Sequence, residues 1–254
     1  MTGKKIITTL SGHKVLFLLQ FGAAERLFGS YACPAGRERE EGPFRVPELR
    51  APEEKILEHA SEAGLSPERA EFDYLARAAG IWLSARGTAM FHGVAMIRDG
   101  GAYILTAPSG TGKSTQYRNL RRLYGDRYRV INGDKPLLRL EGNGEVTVCP
   151  SPWNGKEGWG GKEEAPLKGL YLLKQGGENM IRRLPSEESL IFVLSQFLYT
   201  DATEAGIHTM CRIADAMLTR VPVFSFVNRG DPASSAMLDR HIGREEADKD
   251  EIQT

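Results

Sequence analysis

The run Ala107-Pro108-Ser109-Gly110-Thr111-Gly112-Lys113-Ser114-Thr115 holds the densest chemistry in this chain. It matches the phosphate-loop pattern G-x-x-x-x-G-K-[ST] at every defined position but the first, where Ala107 stands for glycine. Glycines at 110 and 112 let the backbone turn its N–H groups toward phosphate oxygens, and a helix starting near Lys113 adds its positive end. Pro108 through Thr115 therefore form the expected nucleotide cradle. In it, Lys113 reaches the β- and γ-phosphates and Ser114 completes the coordination of magnesium. Phosphoryl transfer also needs a carboxylate near the loop, and Asp134, in Asn132-Gly133-Asp134 after the apolar run Tyr128 to Ile131, is so placed. An acid there can touch magnesium or take a hydroxyl proton, whereas a turn alone would favour the same three residues.

The elements that must position these groups follow from the pattern of apolar residues. An apolar strand, Ala102 to Thr106, enters the loop, and an amphipathic helix carrying Tyr117, Leu120, Leu123 and Tyr124 on one face leaves it. Arg118, Arg121 and Arg122 lie off that face and read as a solvated surface. Upstream, Ala89 to Ile97 reads as one strand, turning at Asp99-Gly100-Gly101, behind a helix opened by Ser66-Pro67-Glu68 and stopped near Gly87. Further strands are expected at 137–141, 145–149, 168–174, 180–184 and 221–227, with helices around 190–198, 207–218 and 232–240. Near the start, residues 6–10 and 15–19 read as a hairpin, and the charged, proline-punctuated stretch 36–54 as a loop or linker. The strands divide into hairpins rather than a regular βαβ repeat, so the expected class is α/β with an α+β tendency: a mixed sheet flanked by helices. Three regions are expected: an N-terminal hairpin and linker over 1–65, a phosphate-loop domain over 66–242, and a disordered tail over 243–254 with five acidic and two basic residues.

The phosphate loop, Phe91-His92-Gly93-Val94 before it and Asn132-Gly133-Asp134-Lys135-Pro136 after it together resemble the HPr kinase/phosphorylase-like proteins, which share a fold with phosphoenolpyruvate carboxykinases. The resemblance covers residues 88–140 well and 150–228 loosely, and looks closest to the short HPr-kinase-related branch. It implies that His92, in the His-Gly pair entering the site, belongs to the active site with Lys113 and Ser114. It implies too that an acidic pair supplies the base. Here Gly133 stands where the first acid of that pair would be, leaving Asp134. The family's Glu-Arg-Gly signature would fall near Leu167-Lys168-Gly169, where the glutamate is missing, which disfavours a coupled phosphorylase activity. Pro152-Trp153-Asn154-Gly155-Lys156 resembles a motif of the related branch and makes Trp153 and Lys156 candidates for acceptor or phosphate binding.

The expected activity is transfer of the γ-phosphoryl of ATP, with magnesium, to a hydroxyl on a peptide, a protein or a small molecule such as a free amino acid. A nucleotide-binding regulatory module and a plain NTP hydrolase stay open beside it. Should Asp134 be only a turn residue, Glu163 or Glu164 is the nearest replacement by sequence. The formal charge is zero, with 33 basic and 33 acidic residues in 254, which speaks against nucleic acid or an anionic membrane as partner. Cys33, Cys149 and Cys211 are odd in number and far apart, against a disulfide framework or structural zinc, and the apolar stretch 15–19 is too short to span a bilayer. Cytoplasmic residence is the expectation, and the resembling kinases are often oligomers, which makes a homo-oligomer a further one.

Overall fold

The computed structural model describes residues 4–34 and 47–252. Strands β1 (Lys4–Leu10) and β2 (His13–Leu19) pair antiparallel around Ser11-Gly12, whose positive φ angles of 49° and 83° suit a two-residue hairpin turn. Their alternation buries Ile6, Leu10, Val15, Phe17 and Leu19 on one face. A helical turn, α1 (Glu25–Phe28), leads to β3 (Cys33–Pro34) on the outer edge of β1. Of the stretch expected as linker, 36–46 lies outside the described residues. The remainder is ordered: β4 (Glu48–Arg50) runs parallel to β2, and α2 (Glu53–Ala63) starts directly after Pro52. Prolines at 47 and 52 flank an edge strand, a position where a missing N–H costs no ladder bond. Next, α3 (Pro67–Ser84) is capped by Ser66, whose hydroxyl accepts from the Arg69 N–H.

The second sheet holds β5 (Thr88–Phe91), β6 (Val94–Arg98), β7 (Gly101–Thr106), and, after α4 (Lys113–Tyr124), β8 (Arg129–Asn132), β9 (Leu137–Leu140) and β10 (Val146–Cys149). It continues through β11 (Ala165–Gln175), β12 (Met180–Leu184), α5 (Ser186–Ser195), β13 (Phe197–Leu198), α6 (Glu204–Arg220), β14 (Val223–Asn228) and α7 (Pro232–Ile252). Its order is β13-β5-β9-β10-β11-β7-β6-β8, with β14 joined to β11 and β12. β11 runs parallel to both β7 and β14, and the other pairs are antiparallel, so the sheet is mixed and flanked by helices, as expected.

Three apolar clusters hold these layers. One face of the sheet packs Val193, Ile213 and Met217 of α5 and α6, and the other packs Tyr117 and Leu120 of α4 with Leu238 and Ile242 of α7. The third cluster joins the N-terminal sheet, α2 and α3 to Met90, Leu137, Cys149 and Trp153, so packing is continuous across residue 65.

Three expectations are corrected, and the first is the helix around 190–198, which ends at Ser195 because Phe197 and Leu198 pair with β5 as β13. The single strand 89–97 is two, because at His92-Gly93 the chain leaves its pairing with β9 and β13 and takes up β7 and β8. The expected tail at 243–254 is helical through Ile252: Arg, Glu, Ala and Lys extend a helix already anchored at Leu238 and Ile242, despite the charge imbalance. Among the described residues no helix is long and apolar enough to cross a membrane.

Candidate active site

β7 delivers the phosphate loop to the N-terminus of α4. Gly110 and Gly112 have φ of 81° and 104°, backbone that side chains other than glycine rarely adopt. The Pro108 carbonyl accepts from the Thr111 hydroxyl at 2.8 Å, and the Lys113 ammonium donates to the Ala107 carbonyl at 2.7 Å and to Pro108 at 3.3 Å. The lysine thus lies folded over its own loop. Gln116, fully buried one turn along, ties α4 to the end of β14 and to α7 on the same face of the sheet. Its amide donates to Asn228 and Ser234 and its carbonyl accepts from Ser235, all within 2.9 Å. This network fixes where the helix N-terminus points, and it has no signal in the loop motif.

A cavity of about 440 Å³ opens over the loop. Of the expected cradle, Ser109, Gly110, Gly112, Lys113, Ser114 and Thr115 line it, whereas Pro108 and Thr111 shape the loop from outside. His92, Gly133, Asp134 and Lys156 line it too. The structure therefore gathers the separate sequence candidates into one place, with two exceptions. The first is Trp153, expected to touch substrate. It is 2% exposed, donates its indole N–H to the Phe72 carbonyl at 2.9 Å, and packs within 6.2 Å of Phe17, Phe28 and Phe72. It is a core residue that anchors the segment bearing Lys156. Trp153→Ala should lose about 3–5 kcal/mol of stability, in the range for a buried aromatic reduced to alanine, read by denaturant unfolding. A variant as stable as the parent with weakened acceptor binding would restore the substrate role.

The second exception is the fallback pair. Glu163 is bonded to Arg129 and Glu164 to Arg139, each at 2.8 Å, and neither lines the cavity. The carboxylates on its wall are Asp134 and Glu157, the latter missed in the sequence. Glu157 sits 3.3 Å from Arg118, whose guanidinium lies 5.5 Å from the Trp159 ring centre. Arg118 is thus a wall of the site, while Arg121 caps the end of α4 by donating to the Gly125 and Tyr128 carbonyls and Arg122 stays exposed.

Asn132-Gly133-Asp134 is both a turn and a site. Buried Asn132 accepts from the N–H groups of Asp134 and Lys135 at 2.8 and 2.7 Å and donates to Ser151, which fixes the turn that carries the carboxylate. Asp134 pairs with the Lys135 ammonium, and His92 Nε2 lies 3.7 Å from its other oxygen. A Cβ at Gly133 would come within 2.9 Å of the Asn154 carbonyl oxygen and 3.1 Å of that of Trp159. The space for a first acid is filled by backbone, so the departure from an acidic pair is built into the packing.

Burial and the nearby Lys113 charge push the His92 imidazole below its ordinary value, against the pull of Asp134. The shift favours the neutral ring, which can accept a proton. Its backbone is gripped by Gln196, whose carbonyl accepts the His92 N–H at 2.9 Å, and by the Thr106 hydroxyl, which donates to the His92 carbonyl at 2.8 Å. Burial also lowers the Lys113 ammonium, with Asp134 opposing. Among the described residues no three or more His, Cys, Asp or Glu side chains group to cage a metal. Magnesium bound with a nucleotide needs none, because phosphate oxygens and water fill most of its shell.

No family model matches the chain, and no curated protein does. Among solved structures it is similar to the Hpr(Ser) kinase/phosphatase from Coxiella burnetii, with a TM-score of 0.38 and 12% identity over 65% of this chain and 96% of that one.

Proposed function

We propose that this protein is an ATP-dependent phosphotransferase that moves the γ-phosphoryl group to a hydroxyl on a peptide, protein or small molecule. One observation carries the reading: Lys113 and Ser114 of the loop, and the Asp134 carboxylate from the turn after β8, line one cavity. The loop's N–H groups and Lys113 would hold the triphosphate, and Ser114 with Asp134 would hold magnesium. When bound, the metal supplies positive charge on the β- and γ-oxygens. Binding would draw Lys113 off the Ala107 and Pro108 carbonyls onto phosphate. Asp134 would orient the acceptor hydroxyl and take its proton, with neutral His92 steering the carboxylate from the opposite side to Lys135. Positioning and charge do most of the work in such transfers.

A nucleotide-binding regulatory module is the second reading, favoured by the backbone that fills the place of a first acid and by the ion pair that already engages Asp134. Incubation with γ-labelled ATP, magnesium and hydroxyl acceptors separates the two. Label on an acceptor is expected. Tight ATP binding with no label on any acceptor would leave the module, and phosphate release at one rate with or without acceptor would leave a hydrolase.

A further inference from the structure

A second cleft, of about 470 Å³, adjoins the phosphate cavity and shares Arg69 with it. It runs between α2 and α3 and is closed on its third side by Lys135 and Tyr199. Lys135, whose ammonium pairs with Asp134, is therefore a wall of this cleft, and the two cavities meet at Arg69. None of these walls belongs to the phosphate loop, and most come from the segment before residue 88.

The charges along the cleft are not equivalent. On α3, Arg69, Asp73 and Arg77 share a face at four-residue spacing, and on α2, Lys55 and Glu58 sit one turn apart. Asp73 is taken by Arg69 at 3.0 Å and Glu58 by Lys55 at 2.6 Å. Arg77 has no carboxylate within 4 Å among the described residues, and its guanidinium lies 5.9 Å from the centre of the Tyr199 ring. Tyr199 itself is held at φ 63°, a conformation uncommon for an aromatic residue, with its ring laid so closely on α3 that a Cβ at Gly80 would meet it at 2.7 Å. The strained tyrosine and this arginine stand together at one stretch of the cleft.

We infer that the acceptor is an extended peptide lying in this cleft, its hydroxyl at Asp134 and an acidic side chain against Arg77. The inference rests on the phosphotransferase reading and adds the acceptor's class and route. Its spacing follows from geometry. Arg69 and Arg77 are two helical turns apart, about 12 Å at 1.5 Å per residue. An extended peptide covers that in about three to four residues at about 3.4 Å each. With the hydroxyl at the Arg69 end, where the cleft meets the phosphate cavity, the acid belongs about three to four positions from it. A carboxylate there gives Arg77 an acidic partner while the peptide backbone passes over Tyr199 and Tyr74.

The test uses the full chain, γ-labelled ATP with magnesium, and synthetic peptides with one serine in an uncharged host, a single glutamate being moved one residue at a time. Peptides with glutamate about three to four residues from the serine should be labelled with kcat/KM roughly tenfold above the host, the scale of one well-placed charge pair. Arg77→Glu should raise KM for those peptides and shift the preference to lysine at the same place. Labelling that ignores the glutamate's position, labelling of free serine but no peptide, or an unchanged preference in Arg77→Glu would each overturn the inference. ATP affinity of the parent, measured by calorimetry, reports separately on the phosphate loop: a parent that binds no ATP ends the phosphotransferase reading and this inference with it. A parent that binds ATP yet labels no peptide ends only the peptide acceptor.

Discussion

Lys113→Ala is expected to bind ATP with magnesium about 30- to 1,000-fold more weakly than the parent, with transfer falling at least as far. The range corresponds to about 2–4 kcal/mol, the lower part of what truncating one member of a buried, charged hydrogen-bonded pair costs. The fold should survive the change. The ammonium's bonds are to two carbonyls of its own loop, and burial already disfavours its charge, so an alanine there leaves the three apolar clusters intact. Calorimetry with ATP and magnesium, alongside a denaturant curve, reads both halves of this expectation. Parental affinity in a folded variant would remove the phosphate-loop reading.

Asp134→Asn should leave ATP binding within a few fold while slowing phosphoryl transfer by roughly two to four orders of magnitude, the usual scale for loss of a general base. Asparagine keeps the shape and can still meet Lys135, but it carries no charge to draw a proton or hold a metal. The turn itself should persist, because Asn132 and not Asp134 supplies the oxygen that caps it. Single-turnover transfer under saturating ATP separates chemistry from binding. A parental rate would pass the role to Glu157, the other carboxylate on the cavity wall.

How far the sequence led depends on the range of the interaction. The loop, the strand before it and the helix after it were legible because a phosphate cradle is local: its glycines, lysine and serine are contiguous. Asp134 was legible because it closes an apolar strand. His92 came from resemblance to known proteins, and its reason appears only in three dimensions, where the chain changes partner strands at His92-Gly93. Trp153 misled because a tryptophan beside a glycine-lysine turn resembles a binding platform, and nothing local reveals that Phe17, Phe28 and Phe72 surround it. Arg69 and Gln196 escaped because each meets the site from an element remote in sequence, and Gln116 and Glu157 because their partners, Asn228, Ser234 and Arg118, are remote from them. In the tail, net charge points to disorder, whereas strong helix formers following an anchored turn carry α7 through Ile252.

The core that runs unbroken past residue 65 also decides how the chain can be handled. Cutting it at the apparent junction before Ser66 would strip Ile6, Val15, Phe17, Phe28 and Ile56 from one side of a shared cluster and bare the faces of Phe72 and Trp153 beneath. A fragment with so large an apolar patch is prone to self-association, and the segment that carries Lys156 would lose its footing at the same stroke. The N-terminal sheet is thus the floor on which one wall of the phosphate cavity stands, and a shortened chain that looks inert reports a missing floor before it reports anything about catalysis.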